Sequence, residues 1–199
     1  MPEDVTKNQI DGYNVARIII FGDSFACPNA RSWCEMLASE HEVFNYAQAG
    51  SSEYRIWQQW QQHSTQHWDH AVVCHTSANR IYCAENFFHD STGAHKNSDL
   101  IYKDIKSRQG ITAADHVIWW YENVFDLDQA QFMHSLLLEH WIRETAHLNV
   151  HHITFFDICS EGLDNLHHIW QQHPGNINHL DNHGNGKTAN RVREHFLIG

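Results

Sequence analysis

The stretch that decides the fold is ARIIIFGDS, residues 16–24. Its first six residues, Ala16–Phe21, are apolar apart from Arg17, with a β-branched centre. Such a short continuous run, closed by Gly22, is the pattern of a strand buried on both faces of a parallel sheet. A polar turn, Asp23-Ser24, follows at once, so a serine hydroxyl is delivered to the end of a buried strand.

Working outward, the same grammar recurs. Ser32–Ser39 has helical spacing, with Trp33, Met36 and Leu37 on one side. Glu42–Tyr46 reads as a second short strand, closed by the turn Ala49-Gly50-Ser51-Ser52. Tyr54–His63 reads as a helix with Ile56, Trp57 and Trp60 on one face. Ala71–Cys74 is a third strand, running into His75-Thr76-Ser77-Ala78-Asn79. Gln129–Leu148 is the clearest helix, with Phe132, Met133, Leu136, Leu137, Trp141 and Ile142 at three- and four-residue steps. His152–Phe156 is a fourth strand, and Gly186–Phe196 reads as a closing helix. Strand, turn and helix alternate, which predicts a parallel sheet flanked by helices, a three-layer α/β/α sandwich. In such sheets ligands sit beyond the carboxyl ends of the strands, so Ser24, Gly50 and Asn79 are predicted to share one rim.

The 199 residues suit a single domain, with Met1–Val15 as an N-terminal extension. Residues 84–112 are polar and irregular, too long for an ordinary connection, and read as a lid or insertion. The balance of 13 Lys+Arg against 24 Asp+Glu gives a net charge of -11, which repels phosphate backbones and anionic lipid. Nucleic-acid and membrane-surface partners are therefore not expected. The cysteines, at 27, 34, 74, 83 and 159, are odd in number and include no CxxC pair, which suits free thiols in a reducing compartment. No apolar leader core and no run of about 20 apolar residues is present, so a soluble, cytoplasmic protein is expected. Oligomeric state is not readable.

The chemistry-bearing residues fall in a definite order: GDS after the first strand, a glycine turn after the second, an asparagine after the third, and histidines near the C-terminus. Ser24 is suited to nucleophilic attack, with its own N–H at the start of a helix facing a developing oxyanion. As a bland alternative, a serine there caps that helix. Gly50 leaves its N–H open to approach, and the Asn79 amide is a further donor; each also serves as an ordinary turn residue.

This order resembles the SGNH (GDSL-like) hydrolase superfamily, whose four blocks contribute Ser, Gly, Asn and His. Here the blocks are Ser24 in IIIFGDSFA, Gly50 in NYAQAGSSEYRI, Asn79 in VVCHTSANR and His179 in NHLDNHGN, covering residues 16 to about 192. The resemblance implies a flavodoxin-like sheet and cofactor-independent ester hydrolysis through an acyl-enzyme. Ser24 is then the nucleophile and His179 the base; the N–H groups of Ser24 and Gly50, with the Asn79 side chain, hold the oxyanion. The implied substrate is a small-molecule or carbohydrate ester, such as an acetylated sugar or short acyl ester.

Two blocks depart from the family pattern. The last usually reads Asp-x-x-His with Gly five residues on. Gly184 meets the second condition, but Asn176 stands where the acid belongs. In the serine-protease triad the equivalent Asp→Asn change costs about 10⁴ in turnover. Asp181 and Asp157 are alternative acids, His183 is an alternative base, and a weakened carbohydrate-binding domain is an alternative function. In the third block, Thr76 or Ser77 are alternative donors. Arg80 stands where an acid is common and could clamp an anionic substrate group, or form a structural salt bridge. Trp119 and Trp120 are a candidate substrate wall, against a plainer role in packing.

A metal-binding reading rests on the many histidines, with His179 and His183 four residues apart. The Asn and Gly around them argue for a loop, and no metal site is expected. Gly184-Asn185-Gly186-Lys187-Thr188 ends like a phosphate loop, but Asp181 occupies the position of its first glycine.

Overall fold

The computed structural model describes residues 9–10, 13–28, 30–84, 98–175 and 179–198. Ahead of the main sheet, β1 (Gln9–Ile10) and β2 (Tyr13–Asn14) form a small antiparallel pair. The main sheet has five strands: β3 (Arg17–Gly22), β4 (Glu42–Asn45), β5 (His70–His75), β8 (Val150–Thr154) and β9 (Leu163–Asn165). They lie in the order β4-β3-β5-β8-β9, and every pairing is parallel.

Side chains alternate across a strand, so β3 divides its apolar run between two cores. Ile18 and Ile20 pack with Trp33, Cys34 and Leu37 of α1 (Trp33–Ala38), Ile169 of α6 (His167–Gln172), and Ala189 and Val192 of α7 (Asn182–Ile198). Ile19 and Phe21 pack on the opposite face with Ile56 and Trp60 of α2 (Glu53–His63) and Trp141 of α5 (Leu127–Thr145). Helices thus flank both faces. Fully burying one such isoleucine contributes roughly 1.5–3 kcal/mol. β3 joins both layers, as does β5 with Val72 and Cys74 on one face and Ala71 and Val73 on the other.

Several boundaries move from the sequence expectation. The fourth strand lies two residues earlier than His152–Phe156, because its pairing partner is β5, with Val73 opposite His152 and His75 opposite Thr154. Phe132, Met133 and Leu136 face solvent on α5, while His134, Leu138, Trp141 and Thr145 are buried. Of the expected irregular stretch 84–112, residues 85–97 lie outside the described set, and the remainder is ordered. β7 (Leu100–Ile101) pairs with β6 (Arg80–Ile81), and α3 (Tyr102–Lys106) leads to α4 (Thr112–Asn123). These elements share a small core of Ile105, Ala114, Ile118 and Tyr121, which a purely polar loop would lack. Among the described residues no helix is long and apolar enough to cross a membrane.

Candidate active site

Strand order reverses between β3 and β5: β4 lies to one side and the later strands to the other. The crevice at such a reversal, beyond the carboxyl ends of the strands, is where parallel sheets bind ligands. The turns after β3 and β5 flank it.

Ser24 sits in the turn after β3. No helix begins there, contrary to expectation: Ala26 N–H donates to the Asp23 carbonyl at 3.1 Å, and the next helix starts at Trp33. Asp23 is the reason the turn closes so tightly. Its carboxylate accepts from the Phe25 N–H at 2.9 Å, an Asx-type turn. It also accepts from the Thr76 hydroxyl at 2.9 Å and pairs with Arg80 at 2.8 Å. Helix capping, the bland role considered for Ser24, falls to Ser32, whose hydroxyl accepts from the Glu35 N–H.

His179 arrives from the other end of the chain. The His173–Asp181 segment folds back on itself: Asp181 N–H donates to the His173 carbonyl at 3.0 Å, and Gly175 N–H bonds to the His179 carbonyl. Asp181 then starts α7, accepting from the Gly184 N–H at 2.7 Å. Gly184 is required by packing, since a Cβ there would lie 2.8 Å from the His173 Cβ. Asn185 ties the two helix starts together, accepting from Trp33 N–H at 3.0 Å and donating to the Leu180 and Asp181 carbonyls.

The result is a cleft of about 630 Å³ lined by Ser24, Phe25, Ser32, His179, Asp181 and Asn185, among others. The Phe25 ring lies 5.5 Å from the His179 ring and stacks on Phe155 at 4.8 Å, which braces the wall between serine and histidine. Ser24 and His179, separated by most of the sequence, therefore share one depression.

The other candidates distribute as follows. His183 lies in the first turn of α7, where a loop was expected; its ring packs edge-on to His173 at 4.7 Å, and it does not line the cleft. Asn176 lies outside the described residues. The Asp181 carboxylate is engaged by Gly184 and lies 3.8 Å from His173 Nδ1, and these contacts hold it below the usual carboxylate range. Asp157 is exposed and away from the cleft.

Gly50 and Asn79 do not line the cleft; they occupy the turns after β4 and β5 at the same edge. Gly50 is glycine for a reason unlike the one read from sequence. Its φ is +75°, and a Cβ would fall 2.2 Å from the Ser98 Cβ, so it seats the segment after residue 97. Asn79 is exposed, in a turn closed by Arg80 N–H on the Ser77 carbonyl at 3.2 Å. Thr76 is fully buried and spent on Asp23.

Arg80 takes the salt-bridge role: its guanidinium pairs with Asp23 and lies 5.4 Å over the Phe156 ring. Trp119 is 59% exposed on α4, and Trp120 packs into the α3–α4 core; neither reaches the cleft. Among the described residues, no group of three or more His, Cys, Asp or Glu is arranged to hold a metal ion. The cysteines are free, and burial pushes the Cys27 thiol up to about 12.

Ser32, Asn185 and Gln59 escaped the sequence reading. Gln59 accepts from Gly22 N–H at 2.9 Å and donates to the Gly22 carbonyl and Ser51 Oγ, both at 3.2 Å. The only hint was a glutamine on the otherwise apolar face of α2.

No protein-family model matches the chain, and no curated protein matches it.

Proposed function

We propose that this protein is a serine ester hydrolase of the SGNH type, on a three-layer, flavodoxin-like α/β/α sandwich. The observation that carries the reading is the convergence of Ser24 and His179 on one cleft beside the carboxyl end of β3. Ser24 Oγ attacks the ester carbonyl carbon while His179 accepts its proton. The family resemblance assigns the tetrahedral oxyanion to N–H groups of Ser24 and Gly50 and to the Asn79 amide. Gly50 and Asn79 stand in neighbouring turns at the same sheet edge, outside the lining of the cleft, so their part requires them to close on the bound ester. The intermediate collapses to an acyl-Ser24 as the alcohol leaves with the proton from His179. Water, activated by the same imidazole, releases the acid. The substrate class is a small-molecule or carbohydrate ester, and the setting is cytoplasmic.

The test is intact mass spectrometry after exposure to an uncharged alkyl fluorophosphonate, alongside hydrolysis of p-nitrophenyl acetate. The expected result is one adduct on Ser24, none on S24A, and turnover lost in S24A. Folded protein that neither labels nor hydrolyses overturns the reading.

A catalytically weakened carbohydrate-binding domain is the second reading. It is favoured by the engagement of Asp181 with Gly184 and His173. Saturable sugar binding without labelling of Ser24 would select it.

A further inference from the structure

Each of the three turns implicated in oxyanion binding carries, one residue from its donor, an anchor for a single guanidinium. Asp23 adjoins Ser24, Ser51 adjoins Gly50, and Arg80 itself adjoins Asn79. Arg80 Nη1 lies 2.8 Å from Asp23 Oδ2 and donates to the Ser51 carbonyl at 3.3 Å. The guanidinium is largely buried and lies over Phe156 at 5.4 Å, so its orientation is fixed.

From this convergence we infer that Arg80 is a positioning residue that holds the turns bearing Ser24, Gly50 and Asn79 in register; the inference rests on the ester-hydrolase reading above. Donors aimed at an oxyanion act through pre-set geometry, and displacement of about 0.5–1 Å is enough to erode their effect. The three turns belong to different strands, and sheet pairing ends before them: β3 stops at Gly22, β4 at Asn45 and β5 at His75. Beyond the ladders one backbone bond, Gln48 N–H to the Gly22 carbonyl at 3.0 Å, reaches into the turn after β4, and side chains add the remaining ties. Gln59 supplies a second brace, gripping both backbone groups of Gly22 and the hydroxyl of Ser51. That brace spans only two of the turns; Arg80 spans all three. The sequence offered Arg80 as a clamp for an anionic substrate group or as a structural salt bridge; its pairing with Asp23 takes the second form, and its position makes it a clamp for the protein's own catalytic edge.

The test is steady-state hydrolysis of p-nitrophenyl acetate, with thermal melting, for wild type, R80K, R80Q and R80A. Lys keeps a positive charge against Asp23 and so protects folding, but it is shorter and lacks the planar group that lies over Phe156. R80K is expected to lose roughly tenfold in kcat, and R80Q and R80A roughly a hundredfold, with KM within about threefold of wild type. Free guanidinium at tens of millimolar is expected to restore part of the kcat of R80A. A merely structural role would lower the active fraction with no change in kcat per folded molecule. Folded R80K with wild-type kcat, or a loss confined to KM, overturns the inference. Wild type that is itself inert overturns the ester reading, and the role of Arg80 falls with it. Active wild type with unimpaired R80K removes the role of Arg80 alone.

Discussion

Two buried polar clusters lie close together in this protein, built from similar residues and serving different ends. One is the edge cluster, in which Asp23 is held by Thr76, Arg80 and the Phe25 N–H. The other is a ladder sealed between the sheet, α2 and α5. There His75 Nδ1–H donates to Glu53 at 2.6 Å, His75 Nε2 meets His152 Nδ1 at 2.8 Å, and His152 Nε2 meets the Thr145 hydroxyl at 2.8 Å. His134 stands 3.4 Å from the second Glu53 oxygen. The ladder does not line the cleft and is buried throughout, its most exposed member being His134 at 8%; Trp141 lies edge-on to His75 at 5.2 Å. The edge cluster fixes turns that carry candidate catalytic groups, whereas the ladder fixes the seating of two helices. A carboxylate beside an imidazole is therefore no guide to catalysis until its access to a cleft is known.

The largest effect that could break this comparison is on stability. Burial pushes the Glu53 carboxyl up, and the facing His75 and His134 more than offset that, leaving it well below the usual carboxylate range. Removing one partner of a buried ionic cluster strands the others, so E53A is expected to lose about 3–5 kcal/mol of unfolding free energy. Urea denaturation checks this, and a wild-type midpoint would show that the ladder does not bear on folding.

A smaller effect follows with pH. Burial, reinforced by His75, pushes His152 down to about 2, so this ring stays neutral in the folded protein. Once unfolded, it titrates near its usual value of about 6.5. Below that pH the unfolded chain binds a proton that the native state refuses, so stability falls as pH falls, by about 1.4 kcal/mol per pH unit for one such group. His195, lowered to about 4 chiefly by burial, acts in the same direction. Glu53 and Asp164 extend the loss below pH 4.5, because their depressed values stabilise the fold only while they are ionised. Melting temperature is expected to decline from pH 7 to pH 5, and H152N to flatten that decline. An unchanged slope in H152N would remove His152 as its source.

How much of this was legible in the sequence depended on how local the determining physics was. The Ala16–Phe21 run announced β3 and the sheet type, because continuous β-branched burial has few other outlets. Ser24 was legible as the second residue beyond that strand, in the turn that closes it. The apolar stripe of α5 was a true helix signal but a poor guide to facing: the ordered contacts of His134 and Thr145 with the ladder turn Phe132 and Met133 outward. α4 was missed because its buried residues, Ala114, Ile118 and Tyr121, pack with Ile105 of α3 in a separate small core and not against the main sheet, so no strand pattern beside it announced a helix. The salt-bridge role of Arg80 was legible, but its partner, like the roles of Gln59 and Gly50, was out of reach for a different reason. Each is defined by partners 20 to 60 residues away, Asp23, Gly22 and Ser98, and spacing along a chain carries no record of such contacts.

The second-order rate of Ser24 labelling by an uncharged fluorophosphonate at pH 7.5, compared among wild type, H179Q and H183Q, tests the central claim most directly. General-base assistance contributes about 10²–10⁴-fold. The account predicts a loss of that size in H179Q and a rate within about threefold of wild type in H183Q, whose ring packs on His173 away from the cleft. Labelling of H179Q at the wild-type rate, or a collapse confined to H183Q, would contradict it.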